Sequence, residues 1–214
     1  MTLVLWHCHD ARSFRPLWAL EELGLAYELK LLPFPPRVLQ KSYLGENPLG
    51  TVPLLVDGDT RMTESAAIPH YLAMTYAGGR LTLAPGDKDY GAYLNWLVHG
   101  EATLTFPQTI VLRYSQMEPP ERRQLSVADD YKRWFLARLR LAEATLADGR
   151  DYLVGDAFTV ADISVGYALQ LALQLGLEPE LPPHALAWFR RLERRDGFQA
   201  AKAAQAAGEV SRHS

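Results

Sequence analysis

The sequence predicts a small α/β sandwich of about 80 residues followed by an all-helical domain, and three of its features lead there. Over the first third, short β-capable runs alternate with segments whose apolar residues recur at helical spacing. Gly78-Gly79 and Ala84-Pro85-Gly86 then interrupt the pattern as a linker. Beyond them every periodic segment is helical, which places the domains at residues 1–80 and 88–206.

In order, Leu3 to Trp6 is a short strand-forming run, and Phe14, Leu17, Trp18, Leu20 and Leu23 make a helical stripe that Gly24 stops. Tyr27 to Leu32 returns as a second strand and closes a βαβ unit. Pro33, Pro35 and Pro36 predict an extended loop, since each fixes its own φ and restricts the residue before it. Thr51 to Val56 and Thr60 to Thr63 flank Asp57-Gly58, the pattern of a hairpin with a two-residue turn. A helix from Ser65 to Tyr76 completes the sandwich.

In the second domain Tyr90, Tyr93, Leu94 and Leu97 open a helix expected to run past Phe106, with a kink at Pro107, and to end at Glu118-Pro119-Pro120. Tyr131, Trp134, Phe135, Leu139, Ala142 and Leu146 share one face of a long helix stopped by Gly149. A third helix begins near Thr159, where Thr159 and Asp162 form a capping-box pair and Phe158 and Ile163 a hydrophobic staple. Weaker helices are expected over Ala185 to Leu192 and Phe198 to Ala206, then a frayed tail from Ala207 to Ser214.

Composition narrows the function. The 214 residues are 48% hydrophobic and 22% charged with a net charge of -3, which excludes disordered and fibrous chains. Scattered lysines and arginines exclude a phosphate-backbone reader, so no nucleic acid partner is expected. Met1 to Asp10 lacks the pattern of a signal peptide, and no run is long and apolar enough to span a bilayer, so no membrane partner is expected either. The single cysteine, Cys8, excludes an internal disulfide framework and fits a reducing cytoplasm.

Asn47-Pro48-Leu49-Gly50-Thr51-Val52-Pro53-Leu54-Leu55, followed by Glu64-Ser65 at a helix start, is the most informative spacing. Proline cannot donate to a ladder, so Pro53 belongs at an edge or in a special turn. If the Val52-Pro53 bond is cis, Val52 turns its N–H and C=O outward, toward the backbone of a peptide-like ligand. Ser65 offers a hydroxyl, and the N–H groups of a helix start hold a carboxylate. Together these grip a small anionic peptide; a strand-entry proline and an N-cap serine are the structural alternative.

On these residues the chain resembles the soluble (cytosolic) glutathione transferases of bacterial type. Asn47 to Leu55 and Glu64 to Ile68 are similar to their glutathione-site signature, and Arg12-Ser13-Phe14-Arg15 leading to Trp18-Ala19-Leu20-Glu21-Glu22-Leu23-Gly24 resembles their first-helix signature. The Gly155 to Ile163 segment resembles the family's core-helix motif. The resemblance implies a thioredoxin-like amino-terminal domain, an all-helical domain contributing the acceptor pocket, glutathione as co-substrate, and a homodimer. By carry-over, Val52 holds the cysteinyl backbone of glutathione next to Pro53, and Glu64 and Ser65 hold the γ-glutamyl end. Lys41 is a partner for the glycyl carboxylate, or a solvated lysine.

The activating position departs from the family. A Ser, Tyr or Cys is expected just after the first strand, and counting back from Gly24 places it at Asp10 or Ala11. A carboxylate at Asp10 has the wrong sign for making a thiolate. Ser13 as hydrogen-bond donor and Arg12 as electrostatic help, at the amino-terminal end of the first helix, are the candidates for catalysis; a helix-capping Ser13 and a solvated Arg12 are the alternative. His7-Cys8-His9-Asp10 holds four ligand types, but neighbours on a strand alternate faces, so no metal is expected. Trp96, Phe106, Tyr114 and Tyr167 are candidates for an apolar acceptor pocket or plain core. The expected activity is conjugation of the glutathione thiolate to a small apolar electrophile. Glutathione-dependent reduction or isomerisation, and non-catalytic glutathione binding on the same fold, are the rivals.

Overall fold

The computed structural model describes residues 2–210, with side chains described as far as residue 207. It divides into two compact units, one formed by residues up to Thr82 with those from Glu193 onward, the other by Leu83–Leu192.

The first unit opens with β1 (Leu3–Cys8), α1 (Phe14–Leu23) and β2 (Tyr27–Leu32), with β1 and β2 parallel from Leu3 opposite Tyr27 to Cys8 opposite Leu32. Gly24 ends α1 in the left-handed conformation at φ 65°, and Leu25 N–H closes onto the Leu20 carbonyl at 3.0 Å. The expected extended loop after β2 is confined to residues 33–35, and from Pro36 the chain forms a short helix, α2 (Pro36–Leu39), and then a 3-10 turn over Lys41–Gly45. Pro36 is the first residue of α2, where a missing N–H costs nothing. β3 (Leu54–Asp57) and β4 (Thr60–Met62) form the hairpin around Gly58, and α3 (Ala67–Tyr76) follows. β3 begins only after Pro53 and runs antiparallel to β1, giving the order β2-β1-β3-β4. On one sheet face lie Leu5 and Leu55, on the other Cys8, Leu32 and Leu54 with Tyr43 of the 3-10 turn.

In the second unit α4 (Tyr90–Val98) passes through a π-helical stretch, His99–Thr105, into α5 (Phe106–Leu112) and a second π-helical stretch, Arg113–Met117. The distortions thus flank Pro107 on both sides, and α5, which contains it, is regular. Ser164 donates to the Leu97 carbonyl at 2.7 Å and Thr105 to the Gly100 carbonyl at 2.7 Å, so hydroxyls take up carbonyls of the widened helix. α6 (Leu125–Leu146) buries Phe135, Leu139, Ala142 and Leu146 as expected, but Trp134 is 45% exposed, stacked on Tyr131 with the Arg138 guanidinium 4.6 Å from its ring centre. α7 (Val160–Gln174) is buried over most of its length and carries the expected capping box. The Asp162 carboxylate accepts from Leu153 N–H, Thr159 N–H and the Thr159 hydroxyl at 2.8, 2.8 and 3.0 Å. α8 (Pro183–Leu192) has its first N–H groups capped by Glu143 of α6.

The chain then returns to the first unit as α9 (Asp196–Val210), which packs on α1. Glu22 accepts from Arg195 Nε and Nη2 at 2.7 and 2.9 Å, and Phe198 sits edge-on to Phe14 and Trp18. Sequence periodicity assigns this helix to the all-helical domain, since nothing local in it announces partners some 180 positions away. Helix continues through Val210, where a frayed tail was expected, and residues 211–214 lie outside the described residues. Among the described residues no helix is long and apolar enough to cross a membrane.

Candidate active site

Sheet topology gathers the candidate residues at one edge. β3 is antiparallel to β1, and β4 to β3, so the end of β1, the start of β3 and the end of β4 lie together; β2, parallel to β1, ends there too. The loop bearing Arg12 and Ser13, the Val52-Pro53 pair, Glu64-Ser65 and the segment with Lys41 all leave from that edge.

The Val52-Pro53 bond is cis, meeting the condition set from sequence, and Val52 is buried immediately before β3. Its approach is built by the Asn47 to Gly50 turn, in which Gly50 N–H donates to the Asn47 carbonyl at 2.8 Å and Leu49 N–H to Asn47 Oδ1 at 3.1 Å. Gly50 stands at φ +60°, and a Cβ there would lie 2.6 Å from Arg37 Cβ, so no other residue fits without displacement. Tyr43 and Asn47 both donate to the Thr51 carbonyl at 2.8 Å. These bonds tie the 3-10 turn that begins with exposed Lys41 to the residue before Val52.

Ser65 is not the side-chain cap of α3; the Glu64 carbonyl accepts from Ala67 and Ile68 at 3.1 and 3.0 Å, and no side-chain cap bond forms. The buried Ser65 hydroxyl instead accepts from Arg15 Nη1 at 2.9 Å. Arg15 has no exposed surface, and a buried guanidinium must be hydrogen-bonded. Sequence reasoning missed it, although a charge in the middle of an apolar stripe was a signal that the helix buries a polar contact.

The loop after β1 is organised by a buried network. His7 Nδ1 and Ser13 Oγ are 2.7 Å apart, Cys8 N–H donates to Ser13 Oγ at 3.3 Å, and His7 Nε2 lies 3.0 Å from Gln205 Oε1. Gln205 also donates from Nε2 to Asp10 Oδ1 at 2.7 Å and accepts Asp10 N–H at 3.1 Å, which fixes its amide orientation. His7 Nε2 therefore carries the proton, Nδ1 accepts, and the Ser13 hydroxyl proton is committed to His7. Burial above all holds the His7 imidazole down to about 4, so it is neutral at pH 7. Ser13 makes no side-chain cap to α1. Asp10, at φ +53°, also receives Lys202 Nζ at 2.8 Å. Burial works to raise its carboxyl, but the donors and charge of Lys202, with Gln205 and His9, hold it below the usual carboxylate value. His7, Lys202 and Gln205 were not in the sequence-derived site, and the two α9 residues carry no local signal for it.

His7 turns toward α9 while Cys8 turns to the opposite face, buried against Tyr43 and Leu54, with its thiol donating to the Pro33 carbonyl at 3.7 Å. The pair thus diverges, as alternation requires. Of the acceptor candidates, Trp96 and Tyr167 are buried core and Phe106 is 54% exposed.

The βαβαββα order of the first unit is that of a thioredoxin-like domain. Residues 1–74 match the model of the glutathione S-transferase amino-terminal domain, and residues 108–196 that of the carboxy-terminal domain. Glutathione S-transferase 3 of Zea mays is 32% identical over 173 residues, 77% of this chain and 76% of the relative. Glutathione S-transferase GstB of Escherichia coli is 29% identical over 197 residues, 90% and 94% of the two chains. A solved glutathione transferase of Phanerochaete chrysosporium in complex with oxidized glutathione matches with a TM-score of 0.81 at 28% identity, over 96% of this chain and 97% of that one. The chain belongs to the glutathione S-transferase family, with glutathione as its co-substrate.

Proposed function

We propose that glutathione lies along the sheet edge described above, with its cysteinyl backbone on Val52 beside Pro53, its γ-glutamyl end on Glu64 and Ser65, and its glycyl carboxylate on Lys41. The observation that carries this reading is the topology: four segments distant in sequence end at one edge, and two of them are locked, Ser65 by Arg15 and Thr51 by Tyr43 and Asn47. The loop from Cys8 to Ser13 receives the thiol. Arg12 and the amino-terminal end of α1 favour the thiolate electrostatically, and Ser13, its proton committed to His7, holds the loop that presents them. The thiolate attacks an electrophilic carbon of an apolar acceptor, forming the thioether as the leaving group departs with its electron pair, and the thiol proton passes to solvent.

The protein works in the cytoplasm as a symmetric dimer. Met74 and Tyr76 are exposed on α3 and offer apolar surface for such a contact. Sedimentation at micromolar concentration tests the dimer, and a monomer alone refutes it. Calorimetric titration with glutathione, together with turnover of an activated chloronitrobenzene, tests the site. Binding to the parent that weakens by about 1–2 kcal/mol in Ser65→Ala supports it; absence of binding to the parent, or no loss in the variant, overturns it.

A further inference from the structure

We propose that Lys202 of α9 is a positioning residue of the conjugation reaction, acting through Asp10 to set the geometry and the charge of the loop in which the glutathione thiol ionises. The inference rests on the reading that residues 8–13 receive that thiol.

Three observations carry it. Asp10 is, with Ala11, one of the two positions where the family resemblance puts an activating hydroxyl, and a carboxylate there opposes thiolate formation unless its charge is answered. Lys202 answers it across 2.8 Å from a helix far away in sequence, and both partners are partly buried. Asp10 is also held at φ +53°, a conformation that aspartate rarely adopts, by Gln205 gripping both its N–H and its carboxylate from the same helix. Gln205 has no exposed surface and fastens His7 as well, so one turn of α9 fixes Asp10 and, through His7, Ser13. The other charged or titratable groups around Asp10 are His9, whose Nδ1 is 3.4 Å from Oδ2, His7 on β1 and Arg12 two positions on. Of these, His7 is buried and neutral, and Arg12 belongs to the thiol reading itself.

The test is the pH dependence of kcat/KM in the full-length protein, with kcat and the KM for glutathione resolved, in five variants: Lys202→Met, Lys202→Arg, Asp10→Asn, the Asp10→Asn/Lys202→Met pair, and Arg12→Ala. Asparagine tolerates the positive φ of Asp10, so it removes charge while keeping the backbone. Lys202→Met is expected to move the acidic limb to higher pH and to lower kcat/KM at neutral pH about three- to tenfold, chiefly in kcat. Lys202→Arg and the paired variant restore the limb, and Asp10→Asn alone moves it to lower pH. If Lys202→Met lowers only the melting temperature, or the paired variant fails to restore the limb while Arg12→Ala still displaces it, the inference is overturned and the thiol reading stands. If none of the five moves the limb, the thiol does not ionise beside this loop, and both fall.

Discussion

Arg15 of α1 reaches across a fully buried interior to donate to the hydroxyl of Ser65 at 2.9 Å. The bond ties the first helix to the turn that opens α3, so the helix whose amino-terminal end we propose as the thiol-activating one also sets the residue proposed to hold the γ-glutamyl group. A hydrogen bond to a charged donor contributes about 1.5–3 kcal/mol, enough to fix one rotamer of Ser65.

Ser65→Ala is accordingly expected to do two things. Glutathione affinity falls by about 1–2 kcal/mol, and the ligand-free protein loses about 1–3 kcal/mol because a buried guanidinium N–H loses its acceptor. Calorimetry and urea unfolding measure the two separately; a loss of affinity with unchanged stability would mean that Arg15 does not depend on this hydroxyl.

Ser13→Ala removes the group that satisfies both His7 Nδ1 and Cys8 N–H. A stability loss of about 1–3 kcal/mol is expected, with turnover reduced through the loosened loop. The absorbance of bound thiolate should titrate nearer to the free thiol in Arg12→Ala than in Ser13→Ala. The opposite order would assign the direct donor role to Ser13.

Asp162 sets a pH dependence of known sign. Burial pushes its carboxyl up to about 6, against the three donors that pull it down. Between its ordinary value and about 6 the folded state binds the proton more readily than the unfolded chain, so this contribution is present at low pH and lost as pH rises through about 6. His7 acts in the other sense: held down to about 4, its contribution is present above 6.5 and lost as pH falls. Asp162→Asn isolates the first effect. The stability difference between parent and variant, read by urea unfolding, should grow from pH 7 toward pH 4; a difference that shrinks would show the donors to outweigh burial.

Gly50→Ala is expected to cost about 2–4 kcal/mol, from the left-handed backbone at φ +60° and a Cβ 2.6 Å from Arg37 Cβ. Because the turn feeds Thr51 and Val52, glutathione affinity should fall as well. Full affinity in a destabilised variant would separate the turn from the site.

Local signals sufficed wherever a residue's conformation depends on its neighbours in sequence. The stripe from Phe14 to Leu23 ended by Gly24, the second strand from Tyr27 to Leu32, the hairpin at Asp57-Gly58 and the Thr159–Asp162 cap were all legible, since helix period, turn chemistry and capping act within a few residues. The Asn47 to Leu55 spacing likewise announced a turn and a proline ahead of the third strand. Partners from afar were not legible. That Ser65 faces Arg15, that the Ser13 proton belongs to His7, and that Asp10 is answered by Lys202 and Gln205 were decided only when the sheet set its strand order and α9 returned onto α1. A buried polar group must find a partner somewhere, but which one it finds depends on distances that only the folded chain possesses.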